Sequence, residues 1–181
     1  QLFPATALAD VAGAQAVAGI SADSRAIKPG FVFFAVPGTK ADGLSFAPQA
    51  LAQGAIAIVC TRRPADADPR AAWIEAPDVR LALSQAAARF YPGQPGVIAA
   101  VTGTSGKTSV AAFVRQIWLA CGDTAAALGT TGVVTPSGAV YGSLTTPDPV
   151  SLHQTLDQLA RDGVTHLAME ASSHGLDQYR L

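Results

Sequence analysis

The chain has 181 residues, room for one domain or two small ones; 49% are hydrophobic, only 14% are charged, and the net charge is −1. That balance excludes an electrostatic footprint for nucleic acid or anionic lipid. A mean hydropathy of +0.29 reflects abundant alanine, since no window nears about 18 consecutive strongly apolar residues.

In chain order, Phe31–Val36 and Ala55–Cys60 are continuous apolar runs and read as buried strands. Phe46 to Gln53 between them suits a short helix ending at Gly54, a residue tolerant of the left-handed C-cap. Asp78 is the expected N-cap of a helix that carries Leu83, Ala87 and Phe90 on one face. Tyr91-Pro92-Gly93-Gln94-Pro95-Gly96 breaks helix and strand alike and reads as a linker. After it come an apolar run over Val97–Val101, a helix from about Lys107, a strand over Ala125–Leu128, and a helix from Pro149 with Leu152, Leu156 and Leu159 on one face. Val164–Glu170 closes the series as another buried strand. Alternating strands and helices predict a mostly parallel, helix-covered sheet in each half, an α/β fold throughout. Cys60 and Cys121 show neither metal-ligand spacing nor a disulfide framework, and no basic, then apolar leader opens the chain; a reducing cytosol is expected. The chain has no initiator Met and stops at Leu181, so it reads as a piece of something longer.

The chemistry concentrates at Val101-Thr102-Gly103-Thr104-Ser105-Gly106-Lys107-Thr108-Ser109. Strand, glycine turn and helix follow one another, the context a phosphate-binding loop requires. Gly103 and Gly106 let backbone N–H groups approach a polyphosphate, and the helix N-terminus adds its positive dipole end. Lys107 can reach phosphate oxygens, and the Thr108 hydroxyl can ligate the nucleotide's Mg²⁺. The common G-x-x-x-x-G-K-[ST] pattern would need glycine at Val101. Glu170 ends an apolar strand, where ligands of a parallel sheet bind. Alone such an acid is usually a solvated surface residue; beside a phosphate loop it can hold Mg²⁺ together with Thr108.

Two further segments stand out. In Leu144-Thr145-Thr146-Pro147-Asp148-Pro149, the Asp-Pro pair is explained as N-cap and first turn of the next helix. The threonines suit either local structure or substrate oxygens. In Glu170–Arg180 dense polar residues leave a buried strand as a loop, and Arg180 offers a fork for carboxylate or phosphate. A serine hydrolase built on Ser172, Ser173 and His174 is disfavoured, because no G-x-S-x-G elbow is present; His174 is expected to orient the loop. His153 and His166 read as helix-surface and strand residues.

These segments together resemble the Mur ligases of peptidoglycan synthesis. The amino-terminal half agrees, with Ser21-Ala22-Asp23-Ser24-Arg25, then Pro29–Gly38, then Ala41-Asp42-Gly43 matching the S-x-D-S-R…P-G-x-x-F-x-A-x-x-G…D-G pattern of the family's UDP-binding domain. The resemblance implies an α/β UDP-substrate domain over residues 1–92 and the opening part of a central ATPase domain over 97–181, with the amino-acid domain absent. It implies an ATP-dependent ligase adding the third amino acid, meso-diaminopimelate, to UDP-MurNAc-L-Ala-D-Glu. Residue by residue, Gly103, Thr104, Ser105, Gly106, Lys107, Thr108 and Ser109 would hold ATP, and Thr108 and Glu170 would share Mg²⁺. Lys107 and Glu170 are the catalytic candidates. Ala22, Ser24, Thr39, Lys40 and Ala41 would contact the uridine end; Thr145, Thr146, Ser172, Gln178 and Arg180 would bind the muramoyl-peptide portion. Ser105 stands where the family loop often has Asn, and Leu144 where some members have Asn. Partners are expected to be small molecules, with no nucleic acid or membrane, in a monomeric cytoplasmic enzyme; this piece alone is expected to bind without ligating. A P-loop kinase or hydrolase, the tetrapeptide-adding Mur ligase, folylpolyglutamate synthetase and a non-catalytic UDP-binding module are the alternatives.

Overall fold

Short apolar segments of the first half pair side by side as a parallel sheet. The computed structural model describes residues 16–38, 42–140 and 145–181; the expectations for Thr39, Lys40, Ala41 and Leu144 lie outside them. The chain divides into two compact units, 1–90 and 91–181.

In the first unit, β1 (Gly19–Ser21), β2 (Phe31–Phe34), β3 (Ala57–Cys60) and β4 (Ala72–Glu75) lie in that order, all parallel. Alternation along a strand sends successive side chains to opposite faces. Phe33, Ile58 and Cys60 thus meet Ala47 and Ala50 of α1 (Ala47–Ala52), with Trp73, Leu44 and Leu51 at the margin. Val32, Phe34 and Val59 are equally buried and point to the other face by the same alternation. A 3-10 turn over Gly43–Phe46 precedes α1, and Gly54 follows it at φ +97°, the left-handed stop that was expected. The Asp78 carboxylate accepts the N–H groups of Arg80 and Leu81 at 2.9 and 3.0 Å, capping α2 (Val79–Phe90), which buries Leu83 and Ala87. β1 and β4 were not foreseen: one is three residues long and the other holds only A-W-I-E.

In the second unit, β5 (Val97–Val101), β9 (His166–Glu170) and β6 (Ala125–Gly129) are parallel and adjacent in that order. β7 (Gly132–Thr135) and β8 (Gly138–Val140) extend the β6 side as antiparallel strands, a departure from an all-parallel sheet. Leu152, Leu156 and Leu159 of α4 (Pro149–Arg161) cover one face through Ala126, Leu128, Leu167 and Met169. α3 (Lys107–Ala120) packs on β6 and β9, and the Trp118 ring meets His166 at a tilt of 52°, centroids 5.0 Å apart. His166 and Glu170 lie on the same face of β9 by alternation, so Glu170 faces α3 rather than α4. The outer side of α3 leaves Val110, Phe113 and Ile117 exposed. The 91–96 stretch, read as a linker, is docked: the Gly93 N–H donates to Asp157 Oδ1 of α4 at 2.9 Å, and a Cβ on Gly93 would come within 2.5 Å of that oxygen.

Candidate functional site

The carboxyl ends of β5, β9 and β6 converge on one cluster. β5 runs into the glycine loop, whose turn needs two backbone conformations that glycine alone adopts cheaply: Gly103 at φ +141° and Gly106 at φ +81°. Gly106 is the N-cap of α3 and offers no side chain to its first N–H groups, so those groups remain available to an anion. Thr104, Ser105 and Ser109 are exposed along the same loop. Lys107 opens the helix, and its Nζ donates to the Gly103 carbonyl at 2.7 Å, lying across the loop.

Val101 and Glu170 are paired across β5 and β9, placing the acid beside the loop. Glu170 is 2% exposed, which removes the surface-residue alternative. A buried carboxylate needs donors, and three are in place. Oε1 accepts the Thr108 hydroxyl at 2.9 Å and the Thr130 N–H at 2.9 Å. Oε2 accepts the Thr130 hydroxyl at 3.3 Å. A Cβ on Gly129 would stand 2.1 Å from Oε1, so only glycine fits there. The Thr108 hydroxyl has one proton, and it goes to Glu170; its lone pairs are left for a cation, the donor chemistry Mg²⁺ takes. Among the described residues no three His, Cys, Asp or Glu side chains cluster. A Mg²⁺ ion held by Thr108 and Glu170 would therefore complete its shell with nucleotide phosphate and water, as is usual for this ion.

The residues expected to meet substrate form an adjoining network. The Thr145 hydroxyl lies 2.9 Å from that of Thr130. Thr146, its neighbour, turns inward and is 2% exposed. Its hydroxyl lies 3.1 Å from Ser172 Oγ and accepts the Ser172 N–H at 3.0 Å. Of the two threonines, then, Thr145 is the more accessible, while Thr146 anchors Ser172. The expected loop after Glu170 is instead a short helix, α5 (Ser173–Asp177), capped by Ser172, whose Oγ accepts the Gly175 N–H at 3.0 Å. A Cβ on Gly175 would meet Thr146 Cγ2 at 2.7 Å, which seats α5 tightly. His174 is exposed and its side chain makes no hydrogen bond among the described residues; the orienting role expected of it belongs to Ser172. Tyr179, at φ +51°, turns the chain back so that Arg180 donates to Gln178 Oε1 at 2.6 Å and to the Thr146 carbonyl at 3.2 Å.

Sequence reasoning missed Thr130 and Arg115. Thr130 follows β6 in Leu128-Gly129-Thr130-Thr131-Gly132, a polar pair at a strand end like that of Glu170. Arg115 is the lone charge in Val110–Leu119. It lines a cavity of about 140 Å³ with Thr108, Gly129 and Glu170, donates to the Thr135 carbonyl at 3.3 Å, and has a buried Nε with no partner among the described residues.

In the first unit, Ser24 sits in a 3-10 turn over Ser24–Ala26 capped by Asp23. The Arg25 hydrogen bonds hold the Asp23 carboxyl below its ordinary value. Ser24 is 7% exposed, and its hydroxyl donates inward to Gln49 Oε1 of α1 at 2.9 Å, whereas Ala22 is exposed beside it. Asp42 caps the next turn, and a Cβ on Gly43 would strike the Val36 carbonyl at 2.4 Å, which explains the Asp-Gly pair sterically. Among the described residues, a hollow of about 730 Å³ between α1 and the Pro64–Trp73 region is lined by neither Ala22 nor Ser24.

Comparison with known proteins agrees with this division. Residues 16–91 match the Mur ligase family catalytic domain and residues 101–181 the Mur ligase middle domain. The chain is 58% identical over 165 residues to a UDP-N-acetylmuramoyl-L-alanyl-D-glutamate–2,6-diaminopimelate ligase of Bradyrhizobium diazoefficiens, covering 91% of this chain and 34% of that one. It is 56% identical over 170 residues to the like-named ligase of Brucella melitensis, covering 94% and 35%. A solved structure of such a ligase superposes with a TM-score of 0.73 at 32% identity, covering 90% of this chain and 33% of that one. The chain thus spans about a third of the length of the curated relatives it matches.

Proposed function

Because this chain belongs to the Mur ligase family, we propose that it forms the UDP-substrate unit and the ATP-phosphate site of a ligase that adds 2,6-diaminopimelate to UDP-MurNAc-L-Ala-D-Glu in peptidoglycan precursor synthesis. One observation carries the reading: a glycine loop at a helix N-terminus, with a buried Glu170 hydrogen-bonded to the Thr108 hydroxyl beside it. In the reaction, a D-Glu carboxylate oxygen attacks the γ-phosphorus of ATP and ADP departs. The amine of the incoming amino acid then attacks the acyl carbon, losing a proton as phosphate leaves with the bonding pair. Phosphoryl transfer asks the protein for positioning and charge neutralisation more than for covalent chemistry. The loop N–H groups and Lys107 supply the second at the phosphates. When bound, Mg²⁺ would neutralise phosphate charge, and Thr108 and Glu170 are the residues that would hold it.

On the substrate side, Thr145, Gln178 and Arg180 line the approach, with Thr146 and Ser172 fixing their backbone. Ala22 and Ser24 mark the uridine contact of the first unit, together with Thr39, Lys40 and Ala41. The same reading makes the enzyme a cytoplasmic monomer acting on small molecules. No helix among the described residues is long and apolar enough to cross a membrane.

Lys107→Ala in the full-length ligase tests the site. Turnover should fall at least about 10²-fold, the scale of losing one preorganised charge-stabilising group. Thermal stability should barely move, since the side chain's hydrogen bond is to an exposed loop carbonyl. Phosphate release at near wild-type rate would reject the assignment.

A further inference from the structure

Thr130 sits between the two halves of the site. Its N–H and hydroxyl both donate to the Glu170 carboxylate, at 2.9 and 3.3 Å, on different oxygens. The same hydroxyl lies 2.9 Å from Thr145 Oγ1. A threonine hydroxyl carries one proton, and the Glu170 carboxylate, an acceptor only, can take it from Thr130. In that arrangement the Thr145 hydroxyl donates to Thr130, and the proton order runs Thr145 to Thr130 to Glu170. Each bond in such a chain polarises the next. Thr130 is itself fixed, because it follows Gly129, where the approach of Glu170 leaves no room for a side chain.

On the reading given under Proposed function, we propose that Thr130 is a positioning residue of this ligase. It holds Glu170 in the orientation that receives the metal–nucleotide and ties that orientation to Thr145 on the substrate side. It touches neither reacting carbonyl nor phosphate; it acts through the residues at either end of the chain. A hydroxyl is required at position 130, and a β-branched hydrocarbon of the same shape will not serve.

The test is Mg²⁺-dependent ATP binding by the full-length ligase, measured by calorimetry with and without Mg²⁺, on Thr130→Val, Thr130→Ser, Thr145→Val and the Thr130→Val/Thr145→Val double variant. Thr130→Val should weaken Mg²⁺-dependent binding about tenfold, the size of one hydrogen bond to a charged group, and Thr130→Ser should restore most of it. Thr145→Val should weaken binding less, and should add nothing in the Thr130→Val background, because its effect passes through Thr130. If Thr130→Val does not fold, Thr130→Ala removes the same hydroxyl without the added methyl and carries the same expectation. Unchanged binding in Thr130→Val, failure of Thr130→Ser to rescue, or strictly additive effects would each overturn the proposal. Absence of Mg²⁺-dependent ATP binding by the unsubstituted ligase would instead reject the nucleotide site itself.

Discussion

Gly129→Ala tests how tightly the acid at the centre of the site is held. The position has no left-handed backbone to strain, so the cost is steric: the new Cβ would lie 2.1 Å from Glu170 Oε1, 2.5 Å from Cδ and 2.6 Å from Cγ. A free surface glutamate would swing aside. This one is buried and its Oε1 is bonded at 2.9 Å to both Thr108 and Thr130. To restore contact distance the carboxylate must retreat by about 1 Å, which carries those bonds beyond hydrogen-bonding range. Overpacking costs about 1–3 kcal/mol, and a weakened hydrogen bond to a charged group about 1.5–3 kcal/mol; about 3 kcal/mol in all is expected, because partial relaxation recovers some of each. For a unit of this size, about 4–8 °C is lost per kcal/mol, so the melting transition of the second unit should drop on the order of 10–20 °C. Mg²⁺-dependent ATP binding should weaken more than about 30-fold, since more than one hydrogen bond to the acid is disturbed. The decisive measurement is the double variant. In a Glu170→Ala background the atoms that collide are gone, and Gly129→Ala should become nearly neutral. Equal destabilisation in both backgrounds would show that the collision lies elsewhere and that the acid is not pinned.

Asp157→Ala should cost about 1–3 kcal/mol, because it leaves the Gly93 N–H and the Arg161 guanidinium without their partner; chemical denaturation reads the loss, and faster proteolysis within 91–96 should accompany it. His153 is half-buried on α4, and burial lowers its pKa below 6.5. The unfolded chain therefore binds a proton more readily, so stability is level above pH 6.5 and declines as pH falls from there through the lower folded value. His153→Gln should flatten that slope, and an unchanged profile would refute it. The 1–92 segment, titrated with UDP, should show NMR shifts at Ser24 and near Lys40; shifts confined to the second unit in the whole chain would refute the uridine assignment.

Much of the scaffold was readable because its signals are local. Continuous apolar runs marked β2, β3, β5, β6 and β9, and Asp78 and Asp148 marked the starts of α2 and α4, where their carboxylates accept the expected N–H groups. β4 and the β7–β8 hairpin were not readable. Trp73 is half-buried at a margin and Val140 is exposed, so neither strand shows the burial pattern that a sequence reading can detect. The polar density of 171–180 predicts a loop, whereas the segment forms a helix of only five residues, held by Ser172 and by packing of Gly175 on Thr146. Those are contacts between segments some 25 residues apart, and no local pattern encodes them.

The same distinction separates the site residues that were found from those that were not. Lys107, Thr108 and Glu170 belong to patterns tied to strand and helix ends, and such ends meet at one edge of a parallel sheet by topology alone. Thr130 enters through hydroxyl geometry, which depends on the register of β6 against β9 and on Gly129 yielding space. Thr145 and Thr146 are chemically identical neighbours, and sequence leaves their roles even; burial divides them. The inward residue satisfies Ser172 and the β9 end, while the outward one reaches Thr130 and through it Glu170. Exchanging their environments would need α5 to lift from Thr146, and at Gly175 even a Cβ would come within 2.7 Å of Thr146 Cγ2, which shows how little slack that helix has. The direction of Thr146 is thus set by packing of its methyl beneath α5. The hydrogen bonds that give the site its chemistry follow from that packing.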